Sequence, residues 1–323
     1  MTVRAQTSCG RARSVQWKEK GRIRGRVHPR KPLALFSLGV LLAVGASGVQ
    51  EATAQVPMPV SFESVQVLPR RAPDREHAYG SAPSQRVYGW LAQDGGAGSA
   101  PVVVLLHGGC WFSTYGVDHV EPLATALASE GFAVWAPEYR RVGEPGAGWP
   151  GTFEDVASAL DLLKDENDPA LDPERVVLVG HSAGGHLALW AATRGAFEPS
   201  HPLYREAPLV PRGVVGLAAI SDLAAFAEQG GCQQAVPRLM GGTPASQSER
   251  YRLASPAALP HPVPVVLIHG AADGIVPVSQ TRAIPGARAR LIEGADHFDL
   301  IHPGTAAFDV LVEEIQRLLG DRG

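Results

Sequence analysis

Short, continuous apolar runs recur along the chain: PVVVLL (101–106), FAVWAP (132–137), RVVLVG (175–180), GVVGLAAI (213–220) and VPVVLIHG (263–270). Runs this short, without polar alternation, read as strands covered on both faces. Between them the period changes to a helical one. In TFEDVASALDLLKDE the apolar positions Phe153, Val156, Ala157, Leu160 and Leu163 fall on one helical face, with Thr152 as an expected cap. Further helices are expected around Val120–Ser129, over GGHLALWAAT, and from about Thr305 to Leu319. QRVYGWLAQ alternates as an outer strand does, and ARARLIEG adds one more strand near the end. Buried strands alternating with amphipathic helices predict an α/β fold, a mainly parallel central sheet flanked by helices. The interval 221–262 is too long for a plain connection and predicts a small helical cap over the strand ends.

The first 54 residues differ from the rest. Ten basic side chains precede or enter LALFSLGVLLAVGASGV (33–49), which leads to Ala52-Thr53-Ala54. Basic, apolar, then A-x-A is the order of a secretory signal peptide cleaved after Ala54; the alternative is a membrane anchor over 33–49. The expected organisation is thus a leader (1–54), an N-terminal extension (55–84) and a catalytic domain (85–323). Setting aside the leader's ten basic and two acidic residues from 29 and 32 leaves 19 basic and 30 acidic side chains, a formal charge of −11. That excess argues against nucleic acid and anionic membrane surfaces as partners, and leaves a membrane association only to an uncleaved leader. Cys110 and Cys232 remain after cleavage and either stay as thiols or form one disulfide, which would tie the segment after PVVVLL to the cap.

Gly180-His181-Ser182-Ala183-Gly184 sits where a strand pattern gives way to a helical one. G-x-S-x-G alone is a weak signal, but this setting is what a nucleophile elbow requires. A serine hydroxyl needs a base to take its proton and a carboxylate to orient that base. His297, after ARARLIEG, and Asp273, after VVLIHG, both fall at the carboxyl ends of predicted strands, on the same edge as Ser182. Asp296 and Asp299 flank the histidine too closely to reach its far side, and His302 lies toward the last helix. His181 and His186 read as packing or helix-surface residues. His107-Gly108-Gly109-Cys110-Trp111 follows the buried strand PVVVLL, so the amides of Gly109, Cys110 and Ala183 are the expected oxyanion donors, with Gly108 shaping the loop and Trp111 as an expected pocket wall. The sequence contains no H-E-x-x-H, paired C-x-x-C, EF-hand loop, phosphate loop or dinucleotide fingerprint, so no metal and no cofactor are expected.

HGGCW, GHSAGGHLAL, HGAADGIVP and ADHFDL together resemble the α/β-hydrolase superfamily, within it the esterase and kynurenine formamidase-like, hormone-sensitive-lipase-related group, over about residues 85–320. The resemblance implies an α/β-hydrolase fold, a Ser182, Asp273, His297 triad and a small ester or aryl formamide as substrate. Cys110 stands where the formamidase-like proteins usually carry a tyrosine. The expected activity is that of a carboxylesterase-type serine hydrolase, with an arylformamidase as the alternative. A peptidase, a lipase and a non-catalytic relative are weaker readings: the roughly thirty residues expected between the leader and the core are too few for the accessory domain of prolyl-oligopeptidase relatives, AEQGGCQQAVPRLMGG is too mixed for a lipase lid, and the three triad residue types are all in place.

Overall fold

A computed structural model describes residues 59–93 and 98–320; the expected leader, its cleavage site and the alternative anchor lie outside the described residues. Among the described residues no helix is long and apolar enough to cross a membrane. Eight strands form one sheet: β1 (Arg75–Ala78), β2 (Arg86–Trp90), β3 (Ala100–Leu106), β4 (Ala133–Pro137), β5 (Leu171–His181), β6 (Gly213–Leu217), β7 (Val265–Gly270) and β8 (Arg288–Ile292). Their order is β1-β2-β4-β3-β5-β6-β7-β8, with the β1–β2 and β2–β4 pairings antiparallel and all later pairings parallel. The helices are α1 (Phe62–Gln66), α2 (Glu121–Ser129), α3 (Gly151–Asp165), α4 (Ala183–Ala192), α5 (Leu223–Glu228), α6 (Gly231–Met240), α7 (Ser248–Ala254) and α8 (Ala306–Leu319).

The absence of alternation in the central strands has a direct cause. In β3, Val102, Val104 and Leu106 pack into one core with Phe153, Leu160 and Trp190 of α3 and α4. Val103 and Leu105 point the other way, against Leu123 and Leu127 of α2 and Leu311 and Ile315 of α8. Each side of the pleat has its own helical layer, so both sets of side chains are apolar. Each such side chain, fully buried, stabilises the fold by about 1.5–3 kcal/mol.

Three details differ from the sequence reading. Thr152 does not cap α3 but lies inside it, where its hydroxyl donates to the Arg140 carbonyl (2.6 Å) and accepts from the Gly148 amide (3.0 Å). β6 stops at Leu217, short of the expected 220, because Ala218 turns to φ 46° while its amide bonds to the Ile268 carbonyl (2.9 Å). β1 was not signalled at all: REHA sits at the sheet's edge, so it carries no apolar period. The interval 221–262 holds α5, α6 and α7, as expected of a helical cap segment, and Asp222 caps α5 by accepting from the amides of Ala224 and Ala225. Since β3 to β8 all run parallel, the segments after β3, β5, β7 and β8 emerge on one edge.

Candidate active site

At the end of β5 the chain turns within one residue. Ser182 adopts φ 56°, ψ −119°, its amide bonds to the Leu217 carbonyl (2.8 Å), and α4 begins at the next residue. The two motif glycines are steric requirements of this turn. A Cβ on Gly180 would stand 2.2 Å from the Gly184 carbonyl oxygen, and one on Gly184 would stand 2.2 Å from the Leu106 oxygen and 2.3 Å from that of His107. The elbow therefore lies directly against the end of β3. Strain at Ser182 is of the kind concentrated at reactive positions.

The loop after β3 faces the elbow with three successive residues at positive φ: Gly109 (97°), Cys110 (53°) and Trp111 (57°). Such a conformation is costly for the two non-glycine residues and persists only when held in place. The Phe112 amide bonds to the Gly109 carbonyl (3.0 Å) and the Val142 amide to that of Trp111 (2.7 Å). A disulfide joins Cys110 to Cys232 of α6, with Cα atoms 5.5 Å apart. Beneath the loop, the buried His107 ring contacts Glu138 (2.8 Å), whose other oxygen accepts from the Val117 amide (2.9 Å). Burial opposes charge on Glu138, but His107 and Arg141 beside it hold its carboxyl below the usual range. Among the described residues the amides of Gly109, Cys110 and Ala183 donate to no protein group, which leaves all three free for an anionic oxygen.

His297 and Asp273 meet after β8 and β7. The His297 Nδ1–H donates to Asp273 Oδ2 over 2.8 Å, and both side chains are almost fully enclosed. Asp273 Oδ1 accepts from the amides of Ile275 and Val276, each at 2.8 Å. Burial works against charge there, but the hydrogen bonds from His269, His297 and Val276 outweigh it and hold the carboxyl far below the usual carboxylate range. An ionised Asp273 fixes Nδ1 as the protonated nitrogen of His297 and leaves Nε2 as a free lone pair. The flanking acids have other duties. Asp296 accepts from the Gly274 and His297 amides, and Asp299 from those of Val60 and Asp296, so both stitch loops together. His302 accepts from the Gly304 amide and lies outside the cavity lining.

Ser182, His297, Gly109 and Cys110 line one cavity of about 250 Å³, closed by Phe62, Tyr115, His119, Ile275 and Phe298. No hydrogen bond joins the Ser182 hydroxyl to the His297 ring among the described residues; such contacts commonly tighten only around substrate. A larger cleft of about 440 Å³ between Lys164 and Arg212 contains no serine or histidine. Trp111 corrects the sequence reading: it is fully buried, packs edge-on against His186 and is no part of the cavity wall. Its positive φ and the core below the loop draw the indole inward, and the tethered, partly buried Cys110 takes the place on the cavity wall. The aromatic wall comes instead from Phe62 of α1, whose ring lies 5.9 Å from Tyr115 and 5.2 Å from Phe298. No sequence signal pointed to Phe62, since it precedes the first strand and belongs to no periodic pattern.

The family model described as BD-FAE matches residues 91–286, which is more than half of the chain and runs from the end of β2 through Ser182 and Asp273. The chain belongs to the BD-FAE family. This BD-FAE chain is 28% identical over 233 residues to a probable carboxylic ester hydrolase, LipM, of Mycobacterium tuberculosis, covering 67% of this chain and 54% of that one. It is 26% identical to the esterase LipC of the same organism, covering 73% and 60% respectively. It thus spans a little over half the length of these curated relatives. Among solved structures, a truncated carbohydrate esterase from gut microbiota superposes with a TM-score of 0.64 at 20% identity, covering 77% of this chain and 98% of the other. Esterase B from Lactobacillus Rhamnosis also gives 0.64, at 19% identity, covering 78% and 89%. At such identities the likeness establishes the fold, that of the α/β-hydrolases, as the Ser, Asp, His chain order and the loop after β3 imply.

Proposed function

We propose that this chain is an exported serine esterase that cleaves small carboxylic esters through an acyl-enzyme on Ser182. The observation that carries the reading is the convergence on one small cavity of a serine at a positive-φ elbow and an imidazole bonded to a buried carboxylate. His297 Nε2 takes the hydroxyl proton as Ser182 Oγ attacks the ester carbonyl. The amides of Ala183, Gly109 and Cys110 accommodate the negative oxygen, Asp273 stabilises the imidazolium, and the proton passes to the departing alcohol. Water, deprotonated by the same nitrogen, then releases the acid and restores the serine.

A cavity of about 250 Å³ walled by aromatic rings suits a short acyl group with a modest leaving group, and the ester-hydrolase relatives favour esters over formamides. Export rests on the leader pattern and agrees with a disulfide, which is stable in an oxidising compartment. The test is hydrolysis of nitrophenyl esters from acetate to palmitate, with an aryl formamide alongside. Acetate or butyrate is expected to be preferred, and S182A to lose on the order of 10⁶-fold in kcat. Turnover by S182A at the parental rate would refute the nucleophile; preference for palmitate would refute the small-ester class.

A further inference from the structure

Two histidines that the catalytic scheme does not use lie directly behind the one it does. His181, the residue before the nucleophile, is fully buried, and its Nε2 lies 3.1 Å from the backbone carbonyl of His297. Its Nδ1 lies 2.9 Å from Nε2 of His119, which comes from the turn preceding α2 and lines the catalytic cavity. We infer, on the reading of His297 as the base, that His181 and His119 are a hydrogen-bonded positioning pair that fixes the loop carrying His297.

The partners determine where the protons are. A carbonyl only accepts, so His181 Nε2 carries hydrogen and donates to His297. The neutral ring then has an accepting Nδ1, and His119 Nε2–H must be its donor. Burial holds both rings well below the usual histidine range, and His297 nearby works in the same direction. The pair thus anchors the base without setting a second positive charge beside the imidazolium that catalysis creates. His119 Nδ1 is left buried and without a partner, a cost that an apolar ring of similar size would avoid.

The surroundings are shaped to the pair. A Cβ on Gly108 would stand 2.9 Å from the His181 carbonyl oxygen, 3.1 Å from His181 Nδ1 and 3.2 Å from His119 Nε2, so the glycine leaves room for this hydrogen bond. Phe62 packs on His119 (5.0 Å between ring centroids), and His181 packs on His297 itself (4.5 Å). One imidazole therefore links the elbow, the loop after β3 and the loop after β8. A displacement of the base by about 1 Å costs up to a hundredfold in rate.

The test compares H181L, which keeps bulk but cannot donate, with H181Q, whose terminal amide reaches about as far as imidazole Nε2. Two rates are read: phosphonylation by a fluorophosphonate, which needs the base but no particular ester, and kcat and KM for nitrophenyl butyrate. H181L is expected to lose roughly tenfold to a hundredfold in both the labelling rate and kcat, with KM changed by no more than about threefold. H181Q is expected to recover most of the loss, and H119F, which removes the donor to His181, to fall between them. A folded H181L that reacts like the parent, or an H181Q no faster than H181L, would overturn the inference. Should H181L fail to fold, H181N replaces it: its amide is too short to reach the carbonyl, so equal rates for H181N and H181Q overturn the inference and a slower H181N supports it. A parent that takes no label removes the triad reading and this one with it, whereas a labelled parent with an unchanged H181L rejects the pair alone.

Discussion

Replacing both bridging cysteines, as C110S/C232S, is expected to lower both stability and turnover. The bond closes a loop of 122 residues, and chain entropy assigns such a closure about 5 kcal/mol of stabilisation. A domain of roughly 260 residues gains about 0.5 kcal/mol per kelvin of unfolding entropy, so the melting temperature should fall by roughly 10 °C. The effect on rate has a separate origin. Cys110 and Trp111 both hold φ values near 55°, each costing about 1–3 kcal/mol, and Cys110 is the residue that the tether grips. Freed from α6, the loop can relax and turn its amides from the cavity; complete loss of one oxyanion donor costs about 10²–10³ in kcat. The bonds from Phe112 and Val142 remain, so a loss of roughly tenfold to a hundredfold is expected. The assay is thermal melting with and without reductant, paired with nitrophenyl butyrate kinetics; the parent in reductant should approach the double variant. A melting temperature shifted by less than about 2 °C with unchanged kcat would refute both the closure and the tethering arguments.

G184A places a methyl against two backbone oxygens that cannot step aside, so it should destabilise by about 3 kcal/mol or more and give little labelled enzyme; wild-type melting would contradict the elbow's packing against β3. F62A removes the aromatic wall contributed by α1, and the ratio of octanoate to butyrate hydrolysis should rise several-fold, as acyl-chain profiling would register. His186 is pushed down to about 4 by burial, partly offset by its bond to the Ala254 carbonyl. Its folded value lies below its unfolded one, so stability is full above about pH 6.5 and falls between there and pH 4, by about 3 kcal/mol from this residue; denaturant unfolding at pH 7 and pH 4.5 should show a smaller drop for H186L than for the parent.

The local code carried much of the architecture. Uninterrupted apolar runs such as PVVVLL read as strands with helices on both faces, and GHSAGG between a strand pattern and a helical one reads as a tight turn with room for a hydroxyl. Parallel order then puts Ser182, Asp273 and His297 on one edge, which is why candidates scattered over more than a hundred residues could be named together. Other features left no mark of that kind. Trp111 looks the same in sequence whether it walls a cavity or fills a core, and the loop's handedness decided it. REHA has no apolar period because an edge strand buries no face, and Phe62 reaches the cavity only through the path of the segment before β1. The Cys110–Cys232 pairing and the contact of His119 with His181 join residues 122 and 62 positions apart, and no spacing rule encodes them. Period and turn chemistry act between neighbours and are written along the chain, whereas the partners of a buried ring or a thiol are set by how the finished layers pack.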